Sequence, residues 1–188
     1  MKLDELLRRK RELAADMLQG AGTVCGAEFD LQEIVPDAAI TLKSEPITLD
    51  FIERSAPSFF EAIAATLWIK QGYRCYLTQQ SDAGVAVVGI RGNEGVLIQC
   101  KSSASSDRLL GWEAVRDVAG GTAVYAEQFP TVRFRRIGMT NQRFNDRAHE
   151  RARVIGVDLI EQKHLAKLIT EFPINTIDVL GMRSAPRL

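Results

Sequence analysis

The pattern of apolar and polar residues divides the chain into a mixed N-terminal part and a more regular remainder. Apolar residues recur at helical spacing over residues 2–18, and the glycines that follow end the pattern, which predicts an amphipathic helix. Residues 23–50 show no sustained period and contain two prolines, so we expect a connecting segment of short strands and turns. A second helical pattern begins near residue 58 and predicts a helix that ends at Gly72 and buries five side chains, those of Phe59, Phe60, Ile63, Leu67 and Trp68.

After this helix the pattern changes to a period of two with many β-branched residues, which is typical of strands. The predicted strands span residues 73–79, 84–90, 95–101, 134–140 and 157–161. The stretch RGNEG joins the second strand to the third and predicts a hairpin turn. Helical patterns cover residues 111–121, 141–156 and 162–169. A hairpin followed by alternating helices and strands predicts an α/β fold with a mixed central sheet and helices on its faces.

Local signals place several of the helix ends. Pro57 suits the first turn of the buried helix, and Ser55 or Ser58 is its expected cap. Asn141 is the expected cap of the helix over 141–156, and a pair of glycines is expected to close the helix over 111–121. The resulting division has an N-terminal helix with an accessory segment over 1–50, a main domain over 51–172, and a C-terminal tail over 173–188, of which the last residues, 181–188, are expected to be loose.

Composition is that of an ordinary globular protein, with 46% hydrophobic and 26% charged residues in a chain of 188. The chain has no run of 18 apolar residues, so we expect no association with a membrane, and its charged N-terminus lacks the apolar core of a secretory signal. Three widely spaced cysteines match no metal or redox pattern, which favours reduced thiols and a cytoplasmic location. With two histidines only, a histidine-based zinc site is not expected.

Charge is unevenly distributed, although the formal net charge is zero. Residues 21–63 carry eight acidic and two basic residues, a net of −6, whereas residues 131–170 carry nine basic and four acidic residues, a net of +5. The basic section either binds phosphates or forms ordinary solvated helix faces. The candidate DNA-binding residues are Arg133, Arg135, Arg136, Arg143, Arg147 and Arg151, together with Ser102 and Ser103. For the two serines, a polar loop is the simpler interpretation.

The stretch GVLIQCKSS is unusual because an apolar strand ends on polar residues. Side chains alternate along a strand, so Gln99 and Lys101 share one face and Cys100 points to the other. Ala86 lies on the neighbouring strand across the hairpin, and its side chain could meet that face if the register agrees. A metal ligand and a lysine around one water molecule would suit phosphodiester hydrolysis. Taken alone, however, these residues are more simply explained as a solvated strand edge.

The wider context changes that interpretation, because residues 58 to 169 resemble the Mrr-like nucleases of the PD-(D/E)xK, or restriction-endonuclease-like, superfamily. The resemblance is carried by five stretches in the family's order, namely FFEAIAATLWIKQGY, SDAGVAVVGI, GVLIQCKSS, IGMTNQRFNDRAHERA and GVDLIEQKHLAKLI. Each stretch alone is a weak signal, but their order and spacing are specific. The resemblance implies a restriction-endonuclease-like fold for the main domain, 51–172, with the N-terminal helix as an extension.

The resemblance also implies roles for individual residues. Lys101 is the motif lysine, and Gln99 takes a position usually held by glutamate. A Mg²⁺ ion, for which Mn²⁺ can substitute, would be held by Gln99, by the backbone carbonyl of Cys100 and, through water, by Glu61. The main metal-binding aspartate of the family corresponds to position 86, where this chain has alanine.

Two explanations fit Ala86. The alanine is either an engineered replacement of a native aspartate, made to disable the nuclease, or the mark of a natural pseudonuclease that only binds. The intact neighbours Gly84, Gln99 and Lys101 favour the first explanation, because a long-abandoned site should have drifted further. Asp82 is a weak candidate for the missing ligand, since it lies about 13 Å away along an extended strand.

The sequence therefore predicts a Mg²⁺-dependent DNA endonuclease, active in defence against foreign DNA by family resemblance and inactivated at position 86. The alternatives are a DNA-binding or assembly module without activity and a structure-selective nuclease for repair intermediates or junctions. A single domain of this kind cuts one strand, so cutting of both strands implies a homodimer. A partner protein that supplies target recognition is the other expected association.

Overall fold

The structure, a computed structural model, describes residues 44–79, 83–105 and 108–188. All of these belong to the compact unit Leu42–Leu188. The helix predicted over 2–18, most of the connecting segment over 23–50, and Asp82 lie outside the described residues. The predicted division of the chain at residue 50 therefore stays a prediction.

The described residues contain a five-stranded sheet and a separate two-stranded one. The strands are β1 (Arg74–Leu77), β2 (Val87–Arg91), β3 (Glu94–Lys101), β4 (Leu109–Leu110), β5 (Arg133–Thr140), β6 (Arg143–Phe144) and β7 (Asp158–Ile160). The main sheet has the order β1-β2-β3-β5-β7, with β1, β2 and β3 antiparallel and β3, β5 and β7 parallel. This arrangement confirms the predicted mixed sheet. The two-stranded parallel sheet of β4 and β6 was not predicted.

Helices cover both faces of the main sheet. They are α1 (Leu49–Glu53), α2 (Pro57–Lys70), α3 (Glu113–Gln128), α4 (Asp146–Ile155), α5 (Gln162–Glu171) and α6 (Thr176–Ser184). Buried side chains of α2, α5 and α6 form one core with the sheet, and those of α3 and α4 form a second core on the opposite face. Because both faces are covered, the centre of β3 is apolar without interruption.

Helix α2 is the most buried helix of the fold. Of the five side chains predicted to be buried in it, Phe60, Ile63, Leu67 and Trp68 are buried and Phe59 is half-buried. Pro57 opens the helix as predicted, but the N-cap is Ala56 and its side chain makes no capping hydrogen bond. The serine caps were therefore predicted wrongly. The hydroxyl of Ser55 instead donates to the carbonyl of Phe51 in α1.

Helix α3 is longer than the sequence pattern indicated. The glycines at 120 and 121 were expected to end it near 121, yet it continues to Gln128. A side chain at Gly121 would meet the carbonyl oxygen of Ala83 and the side chain of Val85. The glycine therefore allows the helix to approach the segment before β2 closely, and it does not end the helix.

Helix α4 begins later than predicted, because its cap is Asn145. The side chain of Asn145 accepts from the N–H of Ala148 at 2.9 Å. Asn141 is instead 1% exposed and lies in the turn after β5. The prediction of Asn141 as the cap was wrong, and Arg143 consequently lies in β6 and not on a helix.

The C-terminal residues form an ordered part of the fold, which corrects the prediction that residues 181–188 are loose. Asn175 caps α6 through a reciprocal pair of hydrogen bonds with Asp178. Val179 and Met182 are buried against α2. The main-chain N–H of Leu188 donates to the carbonyl of Leu77 in β1 at 2.9 Å.

Candidate active site

The candidate site lies at the edge of the sheet where β3 and β5 end together. The register pairs Lys101 with Thr140, so the last residues of both strands are side by side. The chain enters β2 at this same edge through residues 83–86, because β2 runs antiparallel to β3. This edge therefore brings position 86 close to the end of the Gln-Cys-Lys strand.

Ala86 lies at a local offset in the pairing of β2 with β3. Val87 is the register partner of Ile98, yet the N–H of Ala86 also donates to the carbonyl of Ile98, at 2.8 Å. Two consecutive residues thus face Ile98, as in a β-bulge. Ala86 consequently packs with Ile98 and Cys100 in the core under α2. Bulges re-aim side chains and are frequent next to active sites, so position 86 points toward α2 and not simply across to Gln99.

Helix α3 fixes the segment that leads into this bulge. Gly84 has a φ of 77°, and a side chain on it would lie 2.8 Å from the carbonyl oxygen of Asp117 and 2.9 Å from its Cβ. The hydroxyl of Thr78 donates to the carbonyl of Val85, and the N–H of Thr78 donates to the carbonyl of Ala86. These hydrogen bonds and the close packing at Gly84 therefore fix the backbone around position 86.

Lys101, the motif lysine, forms an ion pair with a residue that the sequence did not single out. Its Nζ lies 3.2 Å from Oδ2 of Asp117 in α3, and the other carboxylate oxygen accepts two hydrogen bonds from Arg116. The Asp117 side chain is 18% exposed, against 40% for Lys101. Lys101 is therefore oriented by a carboxylate on the face of α3, opposite to the face that Ala86 occupies.

Glu61 lies near the same edge, on the first turns of α2. Burial raises the pKa of its carboxyl group, and the nearby charges of Arg187 and then Lys101 lower it in part. Cys100 shares this environment, because burial, together with the charge of Glu61, holds the pKa of its thiol well above the ordinary value. Glu61, Cys100 and Lys101 are thus close enough to influence one another.

The turn after β5 holds the loop that follows Lys101. The side chain of Asn141 accepts from the N–H of Ser103 at 3.0 Å and donates to its carbonyl at 2.9 Å. Gln142 donates to the same carbonyl at 3.1 Å. Ser103 thus uses its main chain to anchor the loop, and Ser102 beside it is half-buried. The stretch from Thr140 to Phe144 therefore has a structural role that its sequence alone did not reveal.

The six candidate DNA-binding arginines fall into two groups. Arg133 opens β5 beside Glu94, and at about 3.3 Å per residue it lies roughly 23 Å along the strand from Thr140. Arg135, near it, is bound to Asp158 by two hydrogen bonds, and Arg136 is half-buried. The second group follows β5 at the candidate edge and consists of Arg143, Arg147 and Arg151, all exposed.

Two residues of this site were missed from the sequence, Asp117 and Arg187. Asp117 occurs in a helix with no motif around it, and only the packing of α3 against Gly84 brings it to Lys101. Arg187 lies in the segment that was expected to be a loose tail. Its Nη1 donates to the carbonyl of Thr78 at 2.6 Å. Both depend on contacts between elements that are distant along the chain.

The residues at this edge fit a divalent metal ion only in part. Mg²⁺ is bound through oxygen ligands, with carboxylates supplying the negative charge. Glu61 offers one carboxylate, Gln99 a carboxamide and Cys100 a main-chain carbonyl, whereas Ala86 offers no ligand. In the described parts of the chain, no three His, Cys, Asp or Glu side chains come together as a metal cluster. Position 86 therefore offers no anionic ligand in this chain.

Comparison with protein families identifies the domain. Residues 52–169, more than half of the chain, match the Mrr_cat family model, which is described as a restriction endonuclease. The chain therefore belongs to this restriction endonuclease family, as the five sequence stretches indicated. A comparison with curated protein sequences finds no match. Within the described ranges, each helix is too short or too polar to span a lipid bilayer.

Three solved structures are similar to the chain at low identity. A protein of unknown function, AF1548, is 18% identical with a TM-score of 0.46, and the match covers 62% of this chain and 66% of that one. The restriction endonuclease MspJI, in complex with a 27-mer oligonucleotide, is 20% identical with a TM-score of 0.44, and the match covers 64% of this chain and 29% of that one. The DNA modification-dependent restriction endonuclease AspBHI is 15% identical with a TM-score of 0.47, and the match covers 72% of this chain and 34% of that one. The match thus spans just under two thirds of the first protein and about a third of each of the other two.

Proposed function

We propose that this domain is a metal-dependent DNA endonuclease whose catalytic site is disabled by the alanine at position 86. The observation that carries the proposal is the β-bulge at Ala86, built at the edge where Lys101 and Glu61 lie. Bulges are frequent next to active sites, where they re-aim a side chain. Family membership supplies the reaction class, phosphodiester hydrolysis.

The side chains that remain have separate roles in this proposal. Lys101, oriented by Asp117, would hold the attacking water or stabilise negative charge that develops on the phosphate. Glu61, whose carboxyl pKa is raised by burial, would offer an oxygen to the ion, since a nearby positive charge favours the charged form of a carboxyl group. An aspartate at position 86 would add a second carboxylate, and a divalent ion bound there would neutralise phosphate charge. Without that aspartate the chain has too little negative charge for this role.

We propose Mg²⁺ as the ion, with Mn²⁺ as a substitute, and DNA as the substrate. Defence against foreign DNA is the proposed setting, in keeping with the family. Cutting of both strands would require a homodimer, and a partner chain would supply target recognition.

The test is the cleavage of supercoiled plasmid by the Ala86→Asp protein beside the protein as given, with Mg²⁺, Mn²⁺ or EDTA. We expect nicking or linearisation only by the Ala86→Asp protein and only with metal. Ala123→Asp is the matched control, because it adds one carboxylate at an exposed position of α3. Cutting by the protein as given would show that the essential carboxylate lies elsewhere, with Asp82 the next residue to replace.

A second candidate function is DNA binding without cleavage, which the incomplete ligand set favours. In that case the Ala86→Asp protein would remain inactive while both proteins bound DNA in a salt-dependent manner.

A structure-selective nuclease is a different alternative. A set of DNA substrates, from duplex to flap and four-way junction, would distinguish it from a nuclease that cuts ordinary duplex.

A further inference from the structure

The C-terminal residues lie beside the candidate active site, although their sequence does not mark them as part of it. The N–H of Leu188 donates to the carbonyl of Leu77, and Nη1 of Arg187 donates to the carbonyl of Thr78 at 2.6 Å. Thr78 is also the residue whose N–H donates to the carbonyl of Ala86, at 3.1 Å. Thr78, which follows β1, therefore forms hydrogen bonds with both Arg187 and Ala86.

The charge of Arg187 reaches the carboxylate of the site. Arg187 and Lys101 are the two cations whose charge acts on Glu61, and Arg187 acts on it more strongly. Glu61 thus has a guanidinium and an ammonium group in its surroundings, delivered by segments that are far apart in the chain. The arrangement gathers positive charge where the function proposed above would place the phosphodiester.

Arg187 also has donors available for a ligand. It is exposed, and the single hydrogen bond found for its side chain in the described structure uses one of the five N–H donors of a guanidinium. The bond to the Thr78 carbonyl fixes the orientation of the planar group without neutralising its charge. A guanidinium held in this way can form paired hydrogen bonds to phosphate oxygens.

We propose that Arg187 is a phosphate-binding residue of the nuclease site, contacting the DNA backbone next to the bond that is cut. This proposal rests on the function proposed above and extends it with a residue outside the motif. Because the C-terminal segment is anchored on β1 by Leu188, the arginine is placed before DNA arrives and pays little of the ordering cost on binding.

The first test measures DNA binding without cleavage. The protein as given and its Arg187→Gln variant are titrated in EDTA against a labelled 30-base-pair duplex at several salt concentrations. Glutamine keeps an N–H donor for the Thr78 carbonyl and removes the charge. We expect Arg187→Gln to lower the slope of log K against log salt by about one, since each phosphate contact contributes about 0.9. Arg187→Lys should keep most of the slope.

Arg91 provides a matched control. It is an exposed arginine that donates to a main-chain carbonyl, that of Gln71, and pairs with a carboxylate, that of Glu94. It differs from Arg187 in lying at the hairpin end of β2, away from position 86. Arg91→Gln removes the same charge, and we expect the salt slope to stay unchanged.

The second test measures single-turnover cleavage in the Ala86→Asp protein, where Arg187→Gln should lower the rate on the order of 10²-fold. Urea unfolding of each variant establishes that it is folded. An unchanged salt slope and cleavage rate in Arg187→Gln would overturn the proposal, as would an equal loss in Arg91→Gln or the absence of any DNA binding by the parent. Failure of the Ala86→Asp protein to cut would instead reject the proposed nuclease, while the binding experiment would still decide the role of Arg187.

Discussion

At the scale of single residues, the candidate site has its cations in place and lacks one carboxylate. Lys101 is paired with Asp117, and Arg187 is bound to the Thr78 carbonyl, so both are oriented in the absence of DNA. Position 86 is the exception, because a methyl group occupies a bulge that points into the core under α2. In the proposed function, the side chain missing at position 86 is the one that would hold the metal ion.

Lys101 provides the most direct test of this view. In the Ala86→Asp protein, we expect Lys101→Met to lower single-turnover cleavage on the order of 10²- to 10³-fold, because the developing charge loses one preorganised donor. Plasmid cleavage over a time course measures the effect. Methionine keeps most of the length of the side chain and removes the charge.

Lys70 is the control for that substitution. It is 41% exposed and paired with Asp178 at 3.3 Å, which closely matches Lys101 at 40% and 3.2 Å. Lys70→Met should leave cleavage within about twofold, since surface ion pairs contribute about 0–1 kcal/mol. Equal losses in both variants would indicate a general loss of charge or stability, and the assigned role of Lys101 would be wrong.

Sequence reasoning found the residues of the site that lie within motifs and missed those that arrive through packing. Gln99, Lys101 and Glu61 were predicted because their spacing in the strand and helix resembles a known family. Asp117 and Arg187 have no such spacing, and they reach the site because α3 packs on Gly84 and because Leu188 pairs with β1. Position 86 itself was predicted, but the bulge that redirects it depends on a register that sequence alone does not fix.

At the scale of elements, the packing of α3 against the segment before β2 determines where position 86 lies. Gly121 approaches the Ala83 carbonyl, and Asp117 packs against Gly84 one turn earlier. The sequence interpretation took the glycine pair as a helix end, because glycine commonly follows the last helical turn. In the structure, close packing between elements explains one of these two glycines.

The two glycines of α3 should therefore respond in opposite directions to alanine. At Gly121 a methyl group would clash with the Ala83 carbonyl and the Val85 side chain, so we expect Gly121→Ala to lower the free energy of unfolding by about 1–3 kcal/mol. At Gly120 an added Cβ meets no atom within 4 Å, and Gly120→Ala should raise it by about 0.5–1 kcal/mol through helix propensity. Urea denaturation monitored by circular dichroism measures both changes.

The same pair of variants links packing to activity. In the Ala86→Asp protein, Gly121→Ala should also slow cleavage, because it displaces the segment that carries position 86, whereas Gly120→Ala should leave the rate unchanged. A stable Gly121→Ala protein with full activity would show that α3 does not position the site.

Element boundaries show the same limit of sequence reasoning. The strands of the main sheet were predicted within a few residues, since alternation of buried positions is a local signal. Helix α6 was missed because its stretch contains glycine and ends near a proline, and its stability comes from the Asn175 capping box and the contact of Met182 with the core. A tertiary contact of that kind overrides weak local propensity.

At the scale of the whole molecule, stability should depend on pH through a buried thiol. Burial raises the pKa of Cys75 from its ordinary value of 9.0 to about 12. The thiol stays protonated in the folded protein between these values and loses its proton in the unfolded chain. Its contribution to stability is therefore complete below pH 9 and is lost as the pH rises toward 12, at about 1.4 kcal/mol per pH unit.

Comparison with Cys75→Ala isolates this effect from the other groups that titrate in alkali. Urea melts of both proteins are recorded between pH 9.5 and 10.5. As the pH rises over this range, the free energy of unfolding should fall less steeply in Cys75→Ala than in the parent. The difference in slope is the measured quantity, so any constant loss from the smaller side chain cancels. Identical slopes would mean that the Cys75 thiol ionises equally readily in the folded protein.

The distribution of arginines over the whole molecule yields the last prediction. Arg147 and Arg151 follow β5 at the candidate edge, where Arg151 and Arg116 both lie near the ring of Trp112, at 5.7 and 5.9 Å. Arg116 in turn binds Asp117, the partner of Lys101, so basic side chains run continuously from the site to α4. Arg133 and Arg135 lie toward the other end of the sheet, and Arg135 is already paired with Asp158.

DNA bound at the candidate edge should therefore contact Arg147 and Arg151 of α4, and not Arg133 and Arg135 of β5. The double variant Arg147→Ala and Arg151→Ala should lower the salt slope of duplex binding by about two. Arg133→Ala with Arg135→Ala removes the same charge, so a bulk electrostatic effect would alter both proteins equally, and we expect a change in the first only. A loss confined to the second protein would place DNA at the hairpin end of the sheet, roughly 23 Å along β5 from the candidate active site. Position 86 would then have no part in binding the strand that is cut.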